Sequence, residues 1–152
     1  TVEYLKSRED TRSWPILCVG EGLREGLLAI YATALDERIT SAITNGGLIC
    51  NQYFLDNSLY PPYEFFVPHI LRYADTPEIV AAIAPRRVCL INPSDIITDS
   101  KGDTWQEGHP LPQDVVQETF AWTKQVYSLT EAPNAFSILA GRISYTNILC
   151  HD

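Results

Sequence analysis

Short apolar stretches alternate along the chain with stretches in which apolar residues recur every three or four positions. The short stretches predict β-strands over 15–19, 39–44, 87–92 and 136–139. After the first of them a 3.6-residue period predicts a helix, whose apolar positions are Leu23, Leu27, Leu28, Tyr31, Ala34 and Leu35. Strands that alternate with helices indicate an α/β fold. We therefore expect a parallel sheet in sequence order, with helices on both faces.

Further helices are indicated by their end signals. Residues 2–7 have the pattern of the last turns of a helix. Thr76 followed by Pro77 predicts a short helix with Thr76 as its N-cap. Pro112 is expected to begin the longest helix, and one more helix is expected from Ser144.

Two long segments between strands predict no regular element. Residues 48–74 are aromatic and aperiodic, and residues 95–103 form a polar loop. Because a parallel sheet binds ligands beyond the carboxyl ends of its strands, we expect any site at the loops that follow them. Those loops are 20–26, 45–47, 95–103 and 141–142.

Composition narrows the class of protein. The 152 residues are enough for one domain, spanning 1–152, and 45% of them are hydrophobic. The net charge of −8 argues against a nucleic-acid or anionic-membrane partner, because binding phosphates needs a basic surface. No apolar stretch approaches the roughly 18 residues of a membrane span. The sequence indicates no cellular compartment.

The four cysteines are expected to be structural thiols. Cys18 and Cys89 lie within apolar strands, where a thiol acts as a small hydrophobe. No C-x-x-C pair is present, and no histidine is spaced from Cys50 or Cys150 as a metal ligand would be. We therefore expect neither a metal nor another cofactor, while spacing leaves the disulfide state open.

The segment that follows the first strand has the pattern of a nucleophile elbow without a nucleophile. A strand, a glycine-rich turn and a helix are the context of a G-x-S-x-G motif, yet no serine lies between Ser13 and Ser41. One register places Gly22 at the position of the nucleophile, and the other places Arg24 there. Neither glycine nor arginine can form an acyl-enzyme ester.

The segments LLAIYATALDERI and LRYADTPEIVAAIAPRRVCLINPSD resemble the dienelactone-hydrolase and acetyl-xylan-esterase-like branch of the α/β-hydrolases, and the likeness runs over about residues 2–141. The resemblance implies the second half of an α/β-hydrolase fold, with the elbow after the fifth of eight strands. The catalytic acid is then expected after the seventh strand, near Asp95, and the histidine after the eighth, where Arg142 stands.

Neither the acid position nor the histidine position matches the catalytic pattern of this family. Asp95 could orient a histidine or could only form an Asx turn, and Asp99 and Asp103 are equal candidates for the acid. Arg142 stays protonated, so it cannot accept a proton from a nucleophile. His109 is expected in a polar loop as a solvated residue.

Three functional hypotheses follow. The leading one is a catalytically degenerate α/β-hydrolase-like domain with a structural, binding or partner-supporting role. The alternative is an esterase of the carboxylic-ester or acetyl-xylan type, whose nucleophile and base come from a missing segment, a tandem domain or a partner chain. A weaker third is carbohydrate binding, with the aromatic residues Trp105, Tyr60 and Tyr63 as stacking surfaces.

The same half-fold interpretation predicts partners. We expect another polypeptide segment or domain to cover the strand at 15–19, whose edge would otherwise be bare. A small-molecule or carbohydrate ligand is the other expected partner. Whether the chain is itself an enzyme is left undecided by its sequence.

Overall fold

The computed structural model describes residues 1–57, 59, 65, 67–98 and 105–141. Its strands are β1 (Leu17–Glu21), β2 (Ser41–Asn45), β3 (Arg87–Ile91), β4 (Ser94–Thr98), β5 (Trp105–Pro110) and β6 (Phe136–Leu139). Its helices are α1 (Val2–Ser7), α2 (Leu23–Leu35), α3 (Asn51–Asp56), α4 (Thr76–Ala81), α5 (Gln113–Thr119) and α6 (Ala121–Leu129). Short 3₁₀ segments lie at Ile70–Arg72 and Pro133–Ala135.

Four strands form a parallel sheet in the order β1-β2-β3-β6. The predicted α/β class and the predicted strand order are therefore confirmed. The first strand begins at Leu17 rather than at Pro15, because proline has no N–H to donate to a ladder. The strand also continues to Glu21, immediately before the turn into α2.

The main hydrophobic core lies on one face of this sheet. Side chains alternate across a strand, so Ala42, Val88 and Leu90 point to the face that carries α2, α4, α5 and α6. The helices contribute Ile30, Val80, Val116, Phe120 and Tyr127 to that cluster. The opposite face carries a second apolar row, made by Ile43, Cys89 and Ile91 with Leu17 and Leu139 beside them.

The short helix α4 is capped by Asp75, so the prediction of Thr76 as N-cap is wrong by one residue. The Asp75 carboxylate accepts the Thr76 N–H at 2.7 Å, and Glu78 accepts the Asp75 N–H at 2.8 Å. Aspartate is as good an N-cap as threonine, and here the Glu78 carboxylate completes a capping box.

Helix α3 lies within the segment that was expected to be irregular. Its first turn is held by residues distant in sequence, because the Asp75 carboxylate accepts the N–H groups of Asn51 and Gln52 at 2.9 and 2.8 Å. Cys50 is the N-cap, and its Sγ accepts the Tyr53 N–H at 3.3 Å. A cap supplied from 24 residues away leaves no local signal.

Two further expectations are corrected. The helix expected from Pro112 is divided at Phe120 into α5 and α6, so that α2, with 13 residues, is the longest described helix. Phe120 is fully buried, with its ring 5.9 Å from that of Phe136.

The polar segment after β3 contains an antiparallel pair, β4 and β5, anchored by the buried side chain of Ile96. The helix expected from Ser144 lies outside the described residues.

Candidate functional site

An open cleft lies at the carboxyl ends of β1, β2 and β3, where a parallel sheet is expected to bind ligands. Its volume is about 330 Å³. Main-chain groups and small or polar side chains line it: Glu21, Gly22, Asn45, Gly46, Asn92, Ser94, Gly108 and Pro110. The cleft therefore joins three of the strand ends to the β4–β5 pair.

The turn from β1 into α2 is built around two glycines. Gly22 has φ 90° and ψ 177°, a region of backbone space that is essentially restricted to glycine. Its N–H donates to the Asn45 carbonyl at 2.7 Å, which ties the turn to β2. A Cβ atom on Gly20 would lie 2.1 Å from the Glu25 carbonyl oxygen, so this position also excludes a side chain.

The two registers considered for the elbow place residues with different positions in the structure at the point of the nucleophile. Gly22 is the residue at the strand-to-helix turn, with the unusual backbone conformation, and it lines the cleft. Arg24 lies one residue inside α2 and is exposed. The N-cap of this helix, Gly22, has no side chain with which to cap the amino end.

Asp95 is engaged by the main chain of the neighbouring strand. Its Oδ1 accepts the His109 N–H at 2.8 Å, at an irregularity in the β4–β5 register. A Cβ atom on Gly108 would lie 1.8 Å from the same oxygen. The carboxylate thus holds the β4–β5 pair together at a bulge, and glycine is needed opposite it.

Neither histidine of the described residues lines the cleft. Its neighbours Gly108 and Pro110 line the cleft, but His109 is not among the lining residues. His109 is exposed in β5, which corrects its expected place in a loop. His69 is exposed before the 3₁₀ segment, with φ 63°.

Asn92 connects the loops that follow three strands, and the sequence did not single it out. Its Oδ1 accepts the Gly141 N–H at 2.8 Å, and its Nδ2 donates to the Gly141 carbonyl at 3.1 Å. Nδ2 also lies 3.3 Å from Asn45 Oδ1. Ser94, buried beside them, donates from Oγ to the Gly46 carbonyl at 3.3 Å. An asparagine at the end of β2 and another directly after β3 were the signal that could have found this network.

Several residues considered from the sequence lie outside the described part of the chain. They are Arg142, Asp99, Asp103, Tyr60, Tyr63 and Cys150. Trp105 is described only as the first residue of β5.

The three described cysteines are free thiols. Burial raises the pKa of Cys18 and Cys89, and it raises that of Cys50 to about 11. Within the described ranges no group of three or more His, Cys, Asp or Glu side chains is placed to hold a metal ion. The helices of the same ranges are all too short or too polar to cross a membrane.

No family model and no curated protein sequence matches the chain. The solved structures that share its fold include the two described next. A protein assigned as an acetyl xylan esterase from Bacteroides fragilis NCTC 9343 has a TM-score of 0.60 at 16% identity, and the match covers 92% of this chain and 33% of that protein. The glucuronoyl esterase from Solibacter usitatus has a TM-score of 0.54 at 19% identity, covering 92% of this chain and 41% of that protein.

The likeness to these two proteins is one of fold. The chain spans 33% of the length of one and 41% of the other. Both neighbours are named as esterases, and what this chain shares with them is their α/β fold.

Proposed function

We propose that the chain is the second half of an esterase-type α/β-hydrolase fold, that its cleft binds a ligand, and that its elbow supplies no nucleophile. The observation that carries this proposal is Gly22 at the strand-to-helix turn, with φ 90° and the cleft beside it. Glycine offers no atom that could attack an ester.

The neighbouring positions do not replace the missing side chain. Arg24 is a helix residue whose guanidinium stays protonated and cannot act as a nucleophile. Arg142 stands at the position expected for the catalytic histidine. Its guanidinium also stays protonated, so it cannot act as a base. One carboxylate oxygen of Asp95 accepts a hydrogen bond from the His109 N–H. We propose that these four positions, Gly22, Arg24, Asp95 and Arg142, are remnants of a former catalytic site.

The lining of the cleft indicates what it binds. The carboxamide of Asn45 both donates and accepts hydrogen bonds, and the Gly46 main chain lies beside it. Groups of this kind suit a small polar or carbohydrate ligand with hydroxyl groups. No described lysine or arginine lines the cleft, which disfavours an anionic ligand.

A second candidate function is an esterase whose nucleophile and base come from another segment, a tandem domain or a partner chain. Its support is that both structural neighbours are esterases and that the match covers 33% and 41% of them. A divided site of this kind would keep the cleft as part of the substrate pocket.

Active-site titration separates the two functions. The protein, in the natural polypeptide that contains these residues, is mixed with p-nitrophenyl acetate and then labelled with a fluorophosphonate. Our proposal expects no stoichiometric burst and no label within 1–152. A burst that maps within 1–152 would refute it, and one that maps elsewhere would establish the divided esterase.

Ligand binding is tested on the same protein by NMR titration with neutral xylo-oligosaccharides. We expect shifts at Asn45, Gly46 and Asn92, which the Asn45→Ala variant weakens. The matched control is Asn134→Ala, an exposed asparagine before β6, at the opposite end of the sheet. Equal binding by both variants would contradict the assignment of the cleft as the binding site.

A further inference from the structure

A small cavity lies between helix α2 and the sheet, apart from the cleft. Two threonines line it, Thr44 at the end of β2 and Thr76 at the start of α4. Most of the remaining wall is apolar and includes Leu27, Ile30, Leu48 and Leu90. The volume available to the centre of a water molecule is about 10 Å³. Because this is close to the least that holds one water, the cavity has no room for a larger ligand.

The hydroxyl of Thr76 is buried and has no hydrogen-bond partner among the described residues. A threonine inside a helix can donate to the carbonyl four residues earlier. Thr76 is the first residue of α4, so that carbonyl lies outside its helix. Since a buried hydroxyl without a partner is costly, this group needs a partner that the chain itself does not supply.

Other buried threonines of the described chain do have partners within it. Thr33 donates from Oγ1 to the Ala29 carbonyl at 2.7 Å, one turn earlier in α2. Thr123 donates from Oγ1 to the Pro77 carbonyl at 2.9 Å. Burial alone therefore does not leave a threonine hydroxyl without a hydrogen bond in this fold.

Thr44 brings a second hydroxyl to the same cavity. Its side chain is buried, with 1% of the residue exposed. A Cβ atom on Gly47, which also lines the cavity, would lie 3.1 Å from Thr44 Oγ1 and 3.4 Å from Thr44 Cβ. The Thr44 hydroxyl is therefore directed towards a wall of the cavity. A buried water needs at least two polar partners, and hydroxyl groups can both donate and accept.

We propose that this cavity binds one ordered water molecule, which bridges Thr76 Oγ1 to Thr44 Oγ1. The water joins the start of α4 to the end of β2. Its site adjoins the cleft in sequence, with Thr44 beside Asn45, Gly47 beside Gly46, and Pro93 between Asn92 and Ser94. The inference rests on the two hydroxyls and the size of the cavity, and does not depend on the function proposed for the cleft.

Two measurements on the natural polypeptide test the proposal. The first is a set of crystal structures at a resolution that shows ordered water, and the second is the unfolding equilibrium constant from urea denaturation. Thr76→Val removes the hydroxyl and keeps the shape of the side chain, whereas Thr76→Ser keeps the hydroxyl. The matched control is Thr33→Val, which removes a buried threonine hydroxyl that does not line the cavity.

We expect a water within hydrogen-bond distance of Thr76 Oγ1 and Thr44 Oγ1 in the unaltered protein. It should remain in Thr76→Ser and Thr33→Val and be lost in Thr76→Val. Loss of its hydrogen bond should raise the unfolding constant of Thr76→Val about fivefold. A hydroxyl without any partner predicts the opposite sign, because its removal would stabilise the protein.

Three results would overturn the proposal. They are a cavity without water in the unaltered protein, a water that persists in Thr76→Val, and an unfolding constant that Thr76→Val leaves unchanged or lowers. If Thr76→Val does not fold, the structures of the unaltered protein and of Thr76→Ser still decide, because both must contain the water.

Discussion

Replacing Asp75 by alanine should destabilise the protein far more than an ordinary helix-cap mutation, because one carboxylate caps two helices. Asp75 is 9% exposed, and its oxygens accept from the main chain of Thr76 at the start of α4. They also accept from the main chain of Asn51 and Gln52 at the start of α3, and from Asn51 Nδ2 at 2.8 Å.

The magnitude follows from these partners. Loss of an N-cap aspartate alone costs about 1 kcal/mol of stability. The N–H groups of Asn51 and Gln52 would in addition lose their charged acceptor, at about 1–1.5 kcal/mol each. We therefore expect Asp75→Ala to lower the free energy of unfolding by about 3–4 kcal/mol. Asp75→Asn keeps one acceptor oxygen and should lose about half as much.

The assay is urea denaturation followed by circular dichroism, with the midpoint shifted and the slope unchanged. Asp114→Ala is the control, because Asp114 is an exposed acidic residue in the first turn of α5. It should change the free energy by about 0.5 kcal/mol or less. A loss below about 1 kcal/mol for Asp75→Ala would show that the two helices do not depend on this carboxylate.

Three further changes test other parts of the fold. Gly20→Ala should cost about 3 kcal/mol of unfolding free energy, measured by the same denaturation, because its Cβ would meet the Glu25 carbonyl. Arg86→Ala should cost about 2–3 kcal/mol by the same measurement, because Arg86 Nη1 donates to the main-chain carbonyls of Thr33, Asp36 and Ile39, in the last turn of α2 and the loop after it, at 2.6, 3.1 and 2.9 Å. The pKa of Cys50 is raised in the folded protein from 9.0 to about 11. Because the folded state favours the neutral thiol, this shift stabilises the protein below pH 9, and the stabilisation is lost as the pH rises toward 11. Urea midpoints should therefore fall between pH 8.5 and about pH 10.5, and Cys50→Ala should reduce that fall.

The sheet could be predicted from the sequence because each of its strands is a local apolar run. The run around Val88, for example, is bounded by Pro85 and Pro93 and is buried on both faces, so its pattern needs no distant partner. The helix α2 is equally local, since a 3.6-residue period and a glycine turn mark its start.

Elements held by distant contacts could not be predicted in this way. The first turn of helix α3 is held by Asp75, and the β4–β5 pair is held at its bulge by the hydrogen bond that the His109 N–H donates to Asp95. In the site, the glycine turn was visible in the sequence as a motif. The Asn92 bonds to Gly141 were not, because they join positions 49 residues apart.

The backbone at Gly22 has an evolutionary consequence. A φ of 90° with ψ near 180° is free of strain for glycine. Any other residue there would lower the free energy of unfolding by about 1–3 kcal/mol. Proteins persist only slightly above the stability that selection requires. If serine once stood at this turn, its replacement by glycine made the fold more stable, and reversal would have to be selected for activity strongly enough to offset that gain. At this turn, replacement of serine by glycine would therefore be easier in evolution than the reverse replacement.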